Sequence, residues 1–286
     1  MARHYDLTLE KADCPPWDGP PRQSLLICTL LRSGSTLLGE AVHFAGGLGC
    51  PLEYFHRGFR PGFEERWKTN GLEAYAAAVH RHRTAPSGVF SVKLFWHDMM
   101  DMLRESAPGA FDRLLGAAPE RLSAEDHRKI LDTLRPYFPN PSVVYLTRRD
   151  ELRQAISNFI ASRTRNWRKF STPRRAGESG EIEFSFDEIF QLYAAKQRSN
   201  KLWTDFFAAN ALSIHRIFYE DLDADYEGTL RALFSAIGRP DAPIPPPRLR
   251  KQADARSDAL VEQFLAEFRR RAGVTAPAQR SGTPSN

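Results

Sequence analysis

Four short apolar runs punctuate the chain, and the stretches between them carry helical patterns. Ser24 to Leu31 (SLLICTLL) is continuously apolar, as expected for a central strand buried on both faces. Val89 to Trp96 (VFSVKLFW), Ser142 to Thr147 (SVVYLT) and Ser213 to Tyr219 (SIHRIFY) have the same character and length. After the first run, Leu37, Leu38, Val42 and Ala45 fall on one helical face before Gly46 and Gly47 end the helix. Leu72 to Arg81 and Phe186 to Phe207 read as helices, the second with Ile189, Phe190, Tyr193, Lys196 and Trp203 at near-helical spacing. Loops are expected at Pro108 to Pro119 and Thr172 to Gly180. Strands separated by helical stretches long enough to cross over predict an α/β fold with a parallel central sheet flanked by helices.

Toward the C-terminus, five prolines between Pro240 and Pro247 form a stiff connector. Ser257 then caps a helix carrying Leu260, Val261, Phe264, Leu265 and Phe268, whose apolar face must pack on something. There is no internal repeat. The 286 residues divide into an N-terminal arm (1–23), one domain (24–272) and a tail (273–286) that has Val274 as its one large apolar residue and is expected to be disordered.

Composition adds exclusions. Hydrophobic residues at 42% and charged residues at 26% are a globular mixture, which excludes wholesale disorder, collagen and coiled-coil filaments. No apolar run approaches the roughly 18 residues of a spanning helix, and the opening lacks an apolar secretory segment, so a cytoplasmic protein is expected. Cys14, Cys28 and Cys50 share no CxxC spacing, against a disulfide framework or a zinc knuckle and in favour of a reducing compartment. The net charge of +5 is too mild to indicate nucleic-acid binding. Its distribution says more: nine basic residues between Arg148 and Arg175 oppose two acidic ones, which points to an anion nearby or to a solvated helix face.

The candidate chemistry begins at Arg32-Ser33-Gly34-Ser35-Thr36, between the first strand and the first helix. Glycine permits close backbone approach, helix-start N–H groups point outward, and two hydroxyls and a guanidinium add donors, which together make an anion cradle. A simple helix cap accounts for the segment equally well. The triphosphate loop GxxxxGK[ST] is not matched, having neither the spacing nor the lysine, and no GxGxxG follows the strand. Thr147-Arg148-Arg149-Asp150 ends the third strand before a helix through Gln154 and Ser157. Ligands in open α/β sheets gather at the carboxyl ends of central strands, so Arg148 and Ser157 can hold a second phosphate near the first, the two flanking one nucleoside.

In this order LRSGSTLL, PLEYF, VKLFW, YLTRRD followed by QAIS and Trp167, FYEDL and RKQADARSD resemble the bacterial trehalose sulfotransferase family, from about Leu25 to Arg269. The resemblance implies a P-loop-like sulfotransferase fold, a homodimer, and transfer of a sulfuryl group from 3′-phosphoadenosine-5′-phosphosulfate (PAPS) to a carbohydrate or glycolipid hydroxyl. By the same resemblance Arg32, Ser33, Gly34, Ser35, Thr36 and Leu37 hold the 5′-phosphosulfate, Arg148 and Ser157 the 3′-phosphate, with Arg149 the alternative to Arg148, and Glu53 is the general base. Cys50 stands where the family has a second glutamate, which puts trehalose itself in doubt.

The physics fits without a metal, because a sulfuryl group carries one negative charge and fixed N–H, hydroxyl and cationic donors can balance it. In-line transfer further needs a base on the acceptor hydroxyl, which Glu53 can supply; taken by itself Glu53 is an ordinary loop carboxylate. Lys93, at the end of its strand, either neutralises the phosphosulfate or is a lysine with a buried stem and solvated head. Arg57, Phe59 and Arg60 suggest an anionic or partly apolar acceptor, and Tyr54, Phe55 and Trp96 either stack on a sugar or pack in the core. His80 and His82 lie on different sides of a helix and are not expected to share a metal. The rival readings are a P-loop-type phosphotransferase and a nucleic-acid or acidic-polymer binding protein using the arginine run; no nucleic-acid partner is expected under the leading one.

Overall fold

A computed structural model describes residues 5–165, 182–249 and 255–273. The four apolar runs form four strands, β1 (Gln23–Thr29), β2 (Val89–Leu94), β3 (Pro141–Thr147) and β4 (Ile214–Phe218), all parallel in the order β2-β1-β3-β4. Alternate side chains serve two cores. Leu25 and Ile27 pack with Val144 and Leu146 on one face, and Leu26 and Cys28 with Val92, Val143 and Tyr145 on the other.

The first helix, α1 (Ser35–Ala45), covers the Leu25 face through Leu38 and Val42. The chain continues through α2 (Arg60–Trp67) and α3 (Leu72–Arg83) into β2, then α4 (Trp96–Ser106) and α5 (Ala124–Leu134) lead to β3. After β3 come α6 (Glu151–Thr164) and the long α7 (Phe186–Ala209), which brings Leu202, Trp203, Phe206 and Phe207 to the Leu26 face. Beyond β4, α8 (Tyr219–Ala224) and α9 (Tyr226–Ala236) return to the α1 side, and α10 (Ala255–Arg271) packs Leu260 and Phe264 on Ile156, Phe159 and Ile189 of α6 and α7.

Several boundaries differ from the pattern reading, β1 for instance ending at Thr29 rather than Leu31. The second strand stops at Leu94, because the Phe95 N–H turns to Asp98 Oδ2 (3.1 Å) and Trp96 opens a helix. Ser257 lies inside the first turn of α10, which begins at Ala255. The helix α5 has a legible start that periodicity alone passes over: Ser123 Oγ accepts from Asp126 N (3.2 Å) while Asp126 accepts from Ser123 N (2.8 Å), a capping box.

The arm packs on α3. Leu7 enters the core, Cys14 N donates to His82 O (2.8 Å), and Asp13 pairs with the fully buried Arg83 (2.8 Å). Among the described residues no helix is long and apolar enough to cross a membrane. Residues 274–286, expected above to be disordered, lie outside the described residues.

This strand order places the site. From β1 the chain moves outward to β2, then crosses back to β3 and β4, so the connections reverse between β1 and β3. At such a reversal the helices that follow the two strands diverge to opposite faces and leave a crevice at the carboxyl ends. Into that crevice run the loop after Thr29 and the loop after Thr147.

Candidate functional site

Leu31 to Thr36 curls tightly because two residues take left-handed backbone angles, Arg32 at φ 66° and Gly34 at φ 86°. Gly34 is required twice over: besides its angle, a Cβ there would sit 2.5 Å from Tyr219 Cδ2. Ser33 is buried and shares a 2.5 Å hydrogen bond with Thr29 Oγ1, which donates to Leu146 O (2.8 Å), so its hydroxyl ties the loop to β3. The Leu31 carbonyl accepts from Gln154 Nε2 of α6 (2.9 Å) and Lys196 Nζ of α7 (3.1 Å). Helix α1 starts at Ser35, and its first N–H groups, which have no partner within the helix, carry the positive end of the helix dipole.

Across the crevice, the Arg148 guanidinium lies 3.9 Å from the centroid of the Tyr219 ring, and its buried Nε has no hydrogen-bond partner among the described residues. The same ring abuts Gly34. Arg149 points elsewhere: it is exposed, bonds both Asp221 oxygens at 2.7 Å, and gives its backbone N–H to Glu220 Oε2 (3.0 Å). Glu220 and Asp221 are therefore structural partners of the second arginine. Asp150 caps α6 by accepting from Arg153 N (2.8 Å), which directs Ser157 back toward the loop. Arg32 Nε donates to Ser157 Oγ (3.1 Å) and closes the ring. Burial and then Arg148 lower the Arg32 pKa. Burial, Arg32 and Arg148, in that order, push Lys196 down to about 8.

Glu53 is placed by the edge strand. Lys93 N donates to Leu52 O (2.9 Å), so residues beside Leu52 run along β2, and Lys93 Nζ donates to Glu53 Oε1 (2.9 Å). Lys93 is 4% exposed, and its stem lies under Gly39 of α1, where a Cβ would be 3.6 Å from Lys93 Cδ. The ion pair thus sits one turn along the helix that the loop opens.

Beside it, burial and the neighbouring Glu53 raise the fully buried Asp98 to about 8 against the opposing hydrogen bond from Phe95. A carboxyl with a raised folded-state pKa contributes stability below its unfolded value and loses it as pH climbs from about 4 to about 8. Asp98→Asn, which keeps the acceptor for Phe95 N–H, is expected to raise the melting temperature at pH 9 and leave it unchanged at pH 4. Equal effects at both would show that the charge is not what matters.

His56, His97 and Asp98 have ligand atoms within 4.8 Å of one another. His56 Nδ1, however, accepts from Gly58 N (3.0 Å), which in a neutral ring puts the proton on Nε2. A cation would have to break that bond.

Arg32 to Leu37, Arg148, Ser157 and the neighbouring Glu53–Lys93 pair all belong to this region, with Leu37 half-buried in the second core. Other candidates are engaged elsewhere. Arg57 pairs with Asp101 (2.5 Å), and Arg60 with Glu64 (2.8 Å) and Glu105 (2.6 Å). Tyr54 and Phe55 are core residues, Trp96 packs edge-on against Trp203, and His80 Nε2 meets Tyr137 O (3.1 Å). Trp167, Arg168, Lys169, Arg174, Arg175, Arg250 and Lys251 lie outside the described residues. Pattern reading passed over Tyr219, Gln154 and Lys196 as site residues; the signal for Lys196 was a charge on a stripe of otherwise apolar positions.

A family model described as Stf0 sulphotransferase matches residues 24–267. Two relatives named trehalose 2-sulfotransferase align over nearly the whole chain. The one from Mycobacterium tuberculosis is 24% identical over 85% of this chain and 94% of its own length. The one from Mycolicibacterium smegmatis is 23% identical over 91% and 97%. Among solved structures, the sulfotransferase domain of the olefin synthase of Synechococcus PCC 7002 aligns with 93% of each chain at a TM-score of 0.38 and 16% identity.

Proposed function

Because the chain belongs to the Stf0 sulphotransferase family, we propose that it moves the sulfuryl group of PAPS to a hydroxyl of a carbohydrate or glycolipid acceptor. The observation that carries the donor reading is the 3.1 Å bond between Arg32 and Ser157, which joins the loop after β1 to the helix after β3, with Arg148 and Gly34 against the same tyrosine ring. In this reading the N–H groups and side chains of Arg32 to Leu37 hold the phosphosulfate, and Arg148 and Ser157 hold the 3′-phosphate.

PAPS supplies the sulfuryl group. Glu53 takes the acceptor's hydroxyl proton as the new O–S bond forms, and Arg32 with the α1 N–H groups balances charge on the departing phosphate oxygen. Lys93 Nζ donates to Glu53 Oε1 (2.9 Å) and so orients the carboxylate along β2. No role in this scheme requires a metal ion.

The acceptor is left at the level of a carbohydrate. The relatives are named for trehalose, but Cys50 is fully buried, with its Sγ 3.5 Å from Arg83 Nη1, and offers a sugar nothing at the position of the second glutamate. Arg57 and Arg60 are neutralised by carboxylates, which removes the argument for an anionic acceptor. The nucleic-acid reading weakens for the same reason, since Arg149, Arg153 and Arg163 all hold acidic partners. A homodimer remains part of the proposal, and sedimentation velocity tests it.

Calorimetry with PAP, the product nucleotide, and separately with ATP and magnesium tests the donor. PAP binding with ATP excluded is expected, and failure to bind either PAP or PAPS would remove the proposal. Arg148→Ala is expected to weaken PAP by about tenfold or more, the scale of a charge-assisted hydrogen bond, and Arg149→Ala by less than about threefold. The reverse order would shift the 3′-phosphate to Arg149.

A further inference from the structure

A cation from α7 reaches the head of the loop. Lys196 is 6% exposed and, among the described residues, has no carboxylate within ion-pair distance. Its Nζ is spent on the Leu31 carbonyl (3.1 Å), together with Gln154 Nε2 (2.9 Å). Leu31 directly precedes Arg32, whose φ of 66° starts the curl, so these two donors hold the peptide on which the loop's shape depends. An ammonium buried beside two guanidiniums and answered only by a carbonyl is incomplete without an anion.

We propose that Lys196 is a positioning residue of the donor site, which holds the loop through the Leu31 carbonyl and takes up a proton from solvent when the anionic nucleotide binds. This rests on the donor reading above and adds a pH dependence to it. The groups facing Lys196 are Arg32 from the loop and Arg148 from the end of β3. From α6 come the neutral Gln154 and Ser157, while Glu151 is hydrogen-bonded to Asn200 of α7. Burial and then the two arginines together bring the ammonium's pKa down to about 8. A polyanion between the arginines reverses their part of that shift.

The bound state then holds more protons than the free state above pH 8, so affinity falls as pH rises through that value. At pH 8.5 a free-state pKa of about 8 leaves at most about three quarters of a proton to be taken up on binding. The nucleotide's own phosphates, with a second pKa of about 6, are fully ionised there and contribute nothing.

The test is calorimetric titration of the full chain with PAP at pH 8.5 in two buffers of different ionisation enthalpy. Wild type is expected to take up a measurable fraction of a proton, at most about three quarters. Lys196→Arg keeps the charge but cannot titrate, so uptake should vanish while affinity stays within about tenfold of wild type. Lys196→Met should lose both the uptake and about ten- to a hundredfold in affinity, and thermal melts of both variants check folding. Asp98 also titrates near 8, but uptake through it would persist in Lys196→Arg, so persistence there overturns the inference. Tight PAP binding by wild type without proton uptake does the same and leaves the donor reading standing. Absence of PAP binding by wild type removes both.

Discussion

Glu53→Gln is expected to depress sulfuryl transfer by more than about a hundredfold, the lower range for loss of a general base, while PAP affinity stays within about threefold of wild type. The argument is local. Glutamine keeps an oxygen that can accept from Lys93 Nζ, so the 2.9 Å bond survives, but it cannot accept the acceptor's proton. Glu53 is tied to β2 through Lys93, and the donor reading gives it no part in holding the nucleotide, so the donor end should not register the change. The substitution does deprive Lys93, 4% exposed, of the Glu53 counter-charge. A modest fall in melting temperature is therefore expected alongside the kinetic loss. Single-turnover transfer and calorimetry on the same preparation separate the cases. Parallel loss of transfer and of PAP binding would show that Glu53 and Lys93 are a structural strut, and unchanged transfer would assign the base elsewhere.

The second large effect is expected at a residue with no side chain. Gly34→Ala places a methyl 2.5 Å from Tyr219 Cδ2 at φ 86°, so the loop must open or the ring must move. The left-handed angle alone costs about 1–2 kcal/mol with a Cβ present. Moving the ring also removes the face on which Arg148 rests at 3.9 Å. Under the proposed donor reading one methyl group disturbs both ends of the nucleotide site, and PAP affinity should fall by more than about a hundredfold with little change in overall stability. Tyr219→Ala in the same chain relieves the clash but not the backbone angle. The double variant should therefore regain part of the lost affinity; if it regains none, backbone strain rather than the tyrosine contact is the cause.

Much of this was readable from the chain before any coordinates. The four strands follow from continuous apolar runs, because a strand covered on both faces tolerates nothing else, and their separation by helices dictates parallel pairing. The Ser-Gly loop and the arginine pair were visible as donors at strand ends, and the family resemblance assigned them to one ligand. Besides whole helices that periodicity passed over, such as α5, the pattern erred at boundaries set by single side chains. Asp98 ended β2 by capturing the Phe95 N–H, an event with no periodicity to announce it.

The amino-acid order, then, determined the layers and the strand ends that carry the candidate donors, since burial periodicity and turn chemistry are local and each is written in a few neighbouring residues. Tertiary structure alone decided which of two adjacent arginines faces the crevice, because the difference lies in Asp221 and Tyr219, about seventy residues away, one claiming Arg149 and the other underlying Arg148. It also decided that a lysine in the apolar stripe of α7 reaches the loop after β1. Contacts of that kind depend on how helices from distant parts of the chain stack around the sheet, and no window of sequence contains both partners.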